Sequence, residues 1–188
     1  MKVEGLQYVR GFVTAAEEAA LLTAIDSERW RHDLKRRVQH YGYRYDYKAR
    51  TVDEWMRLGS LPAWVTRIAK RLVSDGYFAT EPDQLIVNEY QPGQGISPHV
   101  DCEPCFGPVI CSISLGSQCV MEFAEVVGAG RVSMLLERCS AVVLSGPARS
   151  VWKHSIPARK SDRVDERVIP RGRRVSLTFR TVVVRKTS

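Results

Sequence analysis

With 188 residues, 44% of them hydrophobic, the chain can bury one sizeable core, and no composition shift, internal repeat or low-complexity segment marks a linker, so a single domain over 1–188 is expected. Its 28 Lys and Arg against 21 Asp and Glu give a net charge of +7, the sign expected of a nucleic-acid binder. No stretch approaches the ~20 apolar residues of a membrane span, and the start Met1-Lys2-Val3-Glu4-Gly5 has no apolar secretory run, which excludes a helical membrane protein and predicts a cytoplasmic monomer.

The first predicted element is a helix opened by Thr14-Ala15-Ala16-Glu17, in which threonine and glutamate can cap each other's backbone, and it runs to about Asp26. Residues 36–48 follow, basic and rich in tyrosine. In an extended segment Tyr41, Tyr43, Tyr45 and Tyr47 share one face and Arg44 and Lys48 the other. Two readings stand open: rings that stack on unpaired bases while the cations meet phosphates, or an amphipathic hairpin whose tyrosines pack on the core. A second helix is predicted from about Pro62 to Val73, with Pro62 in its first turn and Gly76 just beyond its end. Short strands are then predicted at 84–90, 109–115, 118–123, 131–137, 140–144 and 173–184. Helices first and many short strands later predict an α+β fold around a double-sheet jelly roll, with residues 1–80 as helical support and 81–188 as the core. The basic stretch 159–171 carries interspersed acids and reads as a solvated loop.

The chemistry concentrates after strand 84–90. That strand places Asn88 and Tyr90 on one face, and a turn at Gly93 and Gly95 returns the chain toward His99. In extended backbone His99 and Asp101 project together while Val100 faces the packed side. With His154 as a distant second imidazole they would form two histidines and one carboxylate on one side of a metal, the arrangement of non-haem Fe(II) oxygenases. On the last strand Val175, Leu177 and Phe179 share one face, and Arg174, Ser176, Thr178 and Arg180 the other. The two arginines lie roughly 20 Å apart along the strand, so they suit the two ends of a dicarboxylate rather than one carboxylate; a solvated edge is the alternative. Five cysteines, at 102, 105, 111, 119 and 139, have no framework spacing and are expected as thiols. Cys102-x-x-Cys105 could take zinc with His99 or Asp101, but a second ligand pair is missing.

Asn88-x-Tyr90, His99-x-Asp101, His154 and Arg174-x5-Arg180, in that order and spacing, resemble the AlkB family of Fe(II)/2-oxoglutarate-dependent dioxygenases over residues 83–180. Gln91-Pro92-Gly93-Gln94-Gly95-Ile96, Ser112–Ser117 and Trp152-Lys153-His154 look closest to the oxygenase domain that eukaryotes fuse to a tRNA wobble-uridine methyltransferase, for which 188 residues leave no room. The resemblance implies a double-stranded β-helix with a nucleotide-recognition lid in the first 80 residues. It implies Fe(II) on His99, Asp101 and His154, O2 as oxidant, and 2-oxoglutarate held by Asn88, Tyr90, Arg174 and Arg180. Tyr41, Tyr43, Arg44, Tyr45 and Glu103 become candidate contacts to an alkylated base in single-stranded DNA or RNA, which the enzyme would dealkylate with release of an aldehyde. Hydroxylation of a modified wobble uridine in tRNA, action on a protein side chain, and a non-catalytic nucleic-acid-binding module are the other readings.

Overall fold

In the computed structural model, which describes residues 2–32 and 34–184, two antiparallel sheets face each other across a cavity. The elements in chain order are β1 (Leu6–Val9), α1 (Ala15–Ser27), β2 (Val38–Tyr41), α2 (Ala63–Ser74), β3 (Gln84–Tyr90), β4 (Ile96–His99), β5 (Phe106–Gly116), β6 (Cys119–Glu125), β7 (Arg131–Leu136), β8 (Ala141–Ser145), α3 (Gly146–Ser150), β9 (Trp152–Ile156), β10 (Ser161–Val164), β11 (Arg167–Pro170) and β12 (Arg174–Val182). The large sheet has the order β1-β8-β5-β12-β3-β2 and the small one β4-β9-β6-β7, with β10 and β11 as a separate hairpin. This is the expected α+β jelly roll.

Period-two patterning builds the large sheet. Leu85 and Val87 of β3, Cys111, Ile113 and Leu115 of β5, Ala141 and Val143 of β8, and Val175, Leu177 and Phe179 of β12 share one core with Leu21 and Ile25 of α1 and Val65, Ile68 and Leu72 of α2. Their neighbours Ile86, Asn88, Tyr90, Ile110, Ser112, Val142, Leu144, Arg174, Ser176, Thr178 and Arg180 face the cavity. Both faces of β3 are therefore covered, which is why all seven of its residues are buried. The capping box of α1 is formed: the Glu17 N–H donates to Thr14 Oγ1 at 3.1 Å and the Thr14 N–H to Glu17 Oε2 at 2.8 Å. Pro62 caps α2 from the outside.

Three expectations change. First, β1, β2, β4 and β9 to β11 add to the predicted strands. Second, residues 159–171 are largely ordered hairpin rather than solvated loop: Asp162 is 3% exposed, accepts from the Val120 N–H at 3.0 Å, and meets Arg171 at 2.6 Å and Arg159 at 2.8 Å. Third, the tyrosine segment is not one extended face. It bends at Gly42, whose φ is 76° and where a Cβ would meet the Asp83 carbonyl oxygen at 1.7 Å, so only glycine fits.

Candidate active site

β4 and β9 pair antiparallel with His99 opposite His154, so cross-strand register brings together two imidazoles that are far apart in sequence. Gly95 permits this approach, since a Cβ there would lie 2.1 Å from the Ile156 carbonyl oxygen on β9. Asp101 follows just past the end of β4. Val100 accordingly lines the cavity instead of facing the packed interior as the alternation predicted. Ligand atoms of His99, Asp101 and His154 all lie within 4.8 Å of one another. Nδ1 of His99 is 2.8 Å from the Ser97 carbonyl, so it carries the proton, and Nε2 is left facing Asp101 at 3.4 Å. Burial pushes the His154 imidazole down to about 4 against the opposing charge of Asp101, so it is neutral near pH 7, the form that binds metal. Burial would raise Asp101, but the Arg180 guanidinium beside it holds it well below the usual carboxylate range. The trio thus offers two imidazole nitrogens and one carboxylate oxygen, the donor set of a facial metal site.

The cavity is about 640 Å³ and joins the trio to the inner face of β12. Arg174 is 3% exposed; Nη2 donates to Ser114 Oγ at 2.8 Å and the guanidinium lies 5.4 Å from the Tyr90 ring centre, while Nε and Nη1 are buried without a partner. A buried cation with two unanswered N–H groups suits a carboxylate. Arg180 differs from the sequence expectation. Its Nε donates to Asp101 Oδ2 at 3.0 Å and its Nη1 to Gln84 Oε1 at 3.3 Å, so its fork grips the third member of the trio. Asp101 is held from behind as well: Arg149, missed in the sequence reading, donates to the Asp101 carbonyl at 2.9 Å and the Cys102 carbonyl at 3.2 Å. Asn88 and Tyr90 line the cavity as expected, and Arg36, also missed, donates from Nε to Asn88 Oδ1 at 2.9 Å and lies over the Tyr90 ring.

The tyrosines divide. Tyr41 points to the helical side, edge-on to Trp64. Tyr43 packs with Val52, Cys102, Cys105 and Phe106. Tyr45 and Tyr47 line the cavity, edge-to-face at 5.1 Å. Arg44 and Glu103 are exposed and lie outside the cavity wall. Lys35, Arg36 and Arg50 line the mouth, and among the described residues none of the three is paired with a carboxylate. Cys102 and Cys105 are joined as a disulfide rather than free thiols or zinc ligands; Cys111, Cys119 and Cys139 are free. Two sulfurs three residues apart at the turn after Asp101 are close enough to bond, which spacing alone did not decide.

Residues 5–180 match the 2OG-Fe(II) oxygenase superfamily. An Arabidopsis thaliana protein described as an alkylated DNA repair protein ALKBH8 homolog is 41% identical over 97% of this chain, and the mouse tRNA (carboxymethyluridine(34)-5-O)-methyltransferase ALKBH8 is 36% identical over 95% of it. The chain spans 59% and 30% of those two proteins. Among solved structures, OsALKBH1 superimposes with a TM-score of 0.71 over 94% of this chain and 96% of that one, at 17% identity, a likeness of fold.

Proposed function

Since the chain belongs to the AlkB family of the 2OG-Fe(II) oxygenase superfamily, we propose that it oxidatively dealkylates alkylated bases in single-stranded DNA or RNA. It is a 2-oxoglutarate-dependent dioxygenase, and its cofactor and cosubstrates are Fe(II), 2-oxoglutarate and O2. When bound, Fe(II) and 2-oxoglutarate supply O2-dependent oxidation of a carbon–hydrogen bond, with conversion of 2-oxoglutarate to succinate and CO2. The observation that carries the reading is that one cavity holds the trio, the unanswered N–H groups of Arg174, the rings of Tyr45 and Tyr47, and a rim of Lys35, Arg36 and Arg50.

His99, Asp101 and His154 hold the metal. Arg174 takes the far carboxylate of 2-oxoglutarate as a charge-assisted pair, and Asn88 and Tyr90 hydrogen-bond the same molecule. Arg180 and Arg149 keep Asp101 ionised and aimed. A target base leaves its stack to enter the cavity against Tyr45 and Tyr47, whose rings exclude water, while the rim cations hold the flanking phosphates. Hydroxylation of a carbon on a base nitrogen gives an adduct that releases an aldehyde.

Incubating the protein with Fe(II), 2-oxoglutarate and a panel of alkylated oligonucleotides, with product masses and succinate measured together, tests this. Alkyl loss matched by succinate is the expected result. Succinate formed without any change in the oligonucleotides would move the substrate to a protein or small molecule. A second reading, hydroxylation of a modified tRNA wobble uridine, is favoured by the 36% identity to the mouse tRNA methyltransferase protein, and a tRNA arm gaining one oxygen would select it.

A further inference from the structure

The Cys102–Cys105 bridge stands in the wall of the site and has no part in the proposed reaction. Cys102 follows Asp101 directly and lines the cavity, and both sulfurs lie 3.3 Å from one acceptor, the Arg50 carbonyl oxygen. That carbonyl belongs to the segment 43–52 that covers the bridge: Tyr43, Tyr45 and Val52 pack in one cluster with the two cysteines, and Arg50 Nη2 donates to the Val100 carbonyl at 3.2 Å. In the disulfide neither sulfur carries a hydrogen, so the Arg50 carbonyl receives nothing from them. In the dithiol the sulfurs move apart and each gains a hydrogen, with the Arg50 carbonyl as the acceptor already nearest to both.

We propose that Cys102 and Cys105 form a redox modification site whose dithiol form fastens segment 43–52 to the metal-binding loop through the Arg50 carbonyl, and whose disulfide form leaves that segment held only by packing and the Arg50–Val100 hydrogen bond. Reduction takes a dithiol: one thiolate attacks a cysteine sulfur, the S–S bond breaks, a mixed disulfide forms and the second thiol resolves it. The reductant ends as a disulfide, and two electrons and two protons end on Cys102 and Cys105. Both cysteines are 5% exposed, so exchange requires the segment to lift. By linkage, any ligand that closes the segment favours the dithiol to the same degree that the dithiol favours the ligand. The proposal rests on the functional reading only in taking that ligand to be an oligonucleotide.

Amide hydrogen exchange across 43–52 is the test, on the full chain poised with dithiothreitol or oxidised with diamide, with the thiol state read by alkylation and mass. Exchange should be about 2- to 10-fold slower in the dithiol, the worth of one modest hydrogen bond. A Cys102→Ser/Cys105→Ser variant, with hydroxyl donors and no bridge, should exchange slowly under both conditions, and Cys102→Ala/Cys105→Ala quickly under both. Equal exchange in the two wild-type states, faster exchange in the dithiol, or failure of diamide to close the bridge would overturn the proposal. No oligonucleotide enters this measurement, so an inert substrate panel alongside a responsive segment would count against the proposed reaction alone.

Discussion

At the scale of single residues, His154→Ala should abolish metal binding and succinate formation together, because the remaining pair offers two ligands where three are needed. Calorimetric titration with Mn(II) checks it, and near-normal affinity would point to a different third ligand. The two arginines of β12 should separate cleanly. Arg174→Ala should raise the 2-oxoglutarate requirement by about 10- to 100-fold, the loss of roughly 1.5–3 kcal/mol from a charge-assisted pair, with lysine restoring only part. Arg180→Ala should chiefly weaken metal affinity, since it strips Asp101 of its partner; a purely 2-oxoglutarate effect in that variant would return Arg180 to the dicarboxylate clamp. His154 also makes the metal-free protein acid-sensitive. Its folded value is about 4 against 6.5 when unfolded, so between those values the unfolded chain takes up the proton and the folded chain does not. Stability should therefore be complete above about pH 6.5 and fall toward pH 4 in denaturant titrations, and His154→Gln should flatten that slope. Spacing pointed to His99 and Asp101 through strand alternation, although Asp101 lies just past β4 and Val100 shares the cavity with both. It could not reveal that Arg180 is already occupied, because Asp101 lies 79 residues away.

Among elements, β3 and β12 were legible because each alternates over seven residues or more between a helix-covered and a cavity-facing side. β4 and β9 were not, being four and five residues long with Pro98 inside the former, and their pairing depends on a turn at Gly95 rather than on any periodicity. The hairpin of β10 and β11 was hidden for another reason: Asp162 reads as a surface charge until Val120 and Arg171 surround it. β3 also carries Glu89, 2% exposed and paired with Arg37 and Arg173 at 2.6 Å each. Burial alone would raise its carboxyl, but hydrogen bonds from both arginines take it below its ordinary 4.5. The depressed value means the contribution is complete above about pH 4.5 and disappears as pH falls through the folded value. Glu89→Gln should accordingly cost about 1–3 kcal/mol near neutral pH and progressively less in acid; a pH-independent difference by chemical denaturation would show that the charge is immaterial.

For the molecule as a whole, the net charge of +7 gains meaning from where it lies. With Lys35, Arg36 and Arg50 at the mouth, each phosphate contact should add about 0.7 to the slope of log affinity against log salt on single strands. Arg50→Glu should lower that slope by at least one contact, while Arg44→Glu, outside the cavity, should leave it nearly unchanged; equal effects would mean diffuse attraction. Tyr45→Ala and Tyr47→Ala should each weaken oligonucleotide binding by about 1–3 kcal/mol, whereas Tyr41→Ala should lower the melting temperature instead, since that ring packs against Trp64. β12 also joins the two halves of the large sheet. Without β12 the large sheet falls into two unconnected pieces, β1-β8-β5 and β3-β2. Its pairings reach back to Gln84 and Gly116, the kind of distant contact that makes assembly slow. The strand bearing Arg174 and Arg180 is thus also the keystone of the large sheet. Arg174 and the Arg180 partner of Asp101 therefore reach the cavity only when the two halves of the sheet are joined, so completion of the site is tied to closure of the sheet.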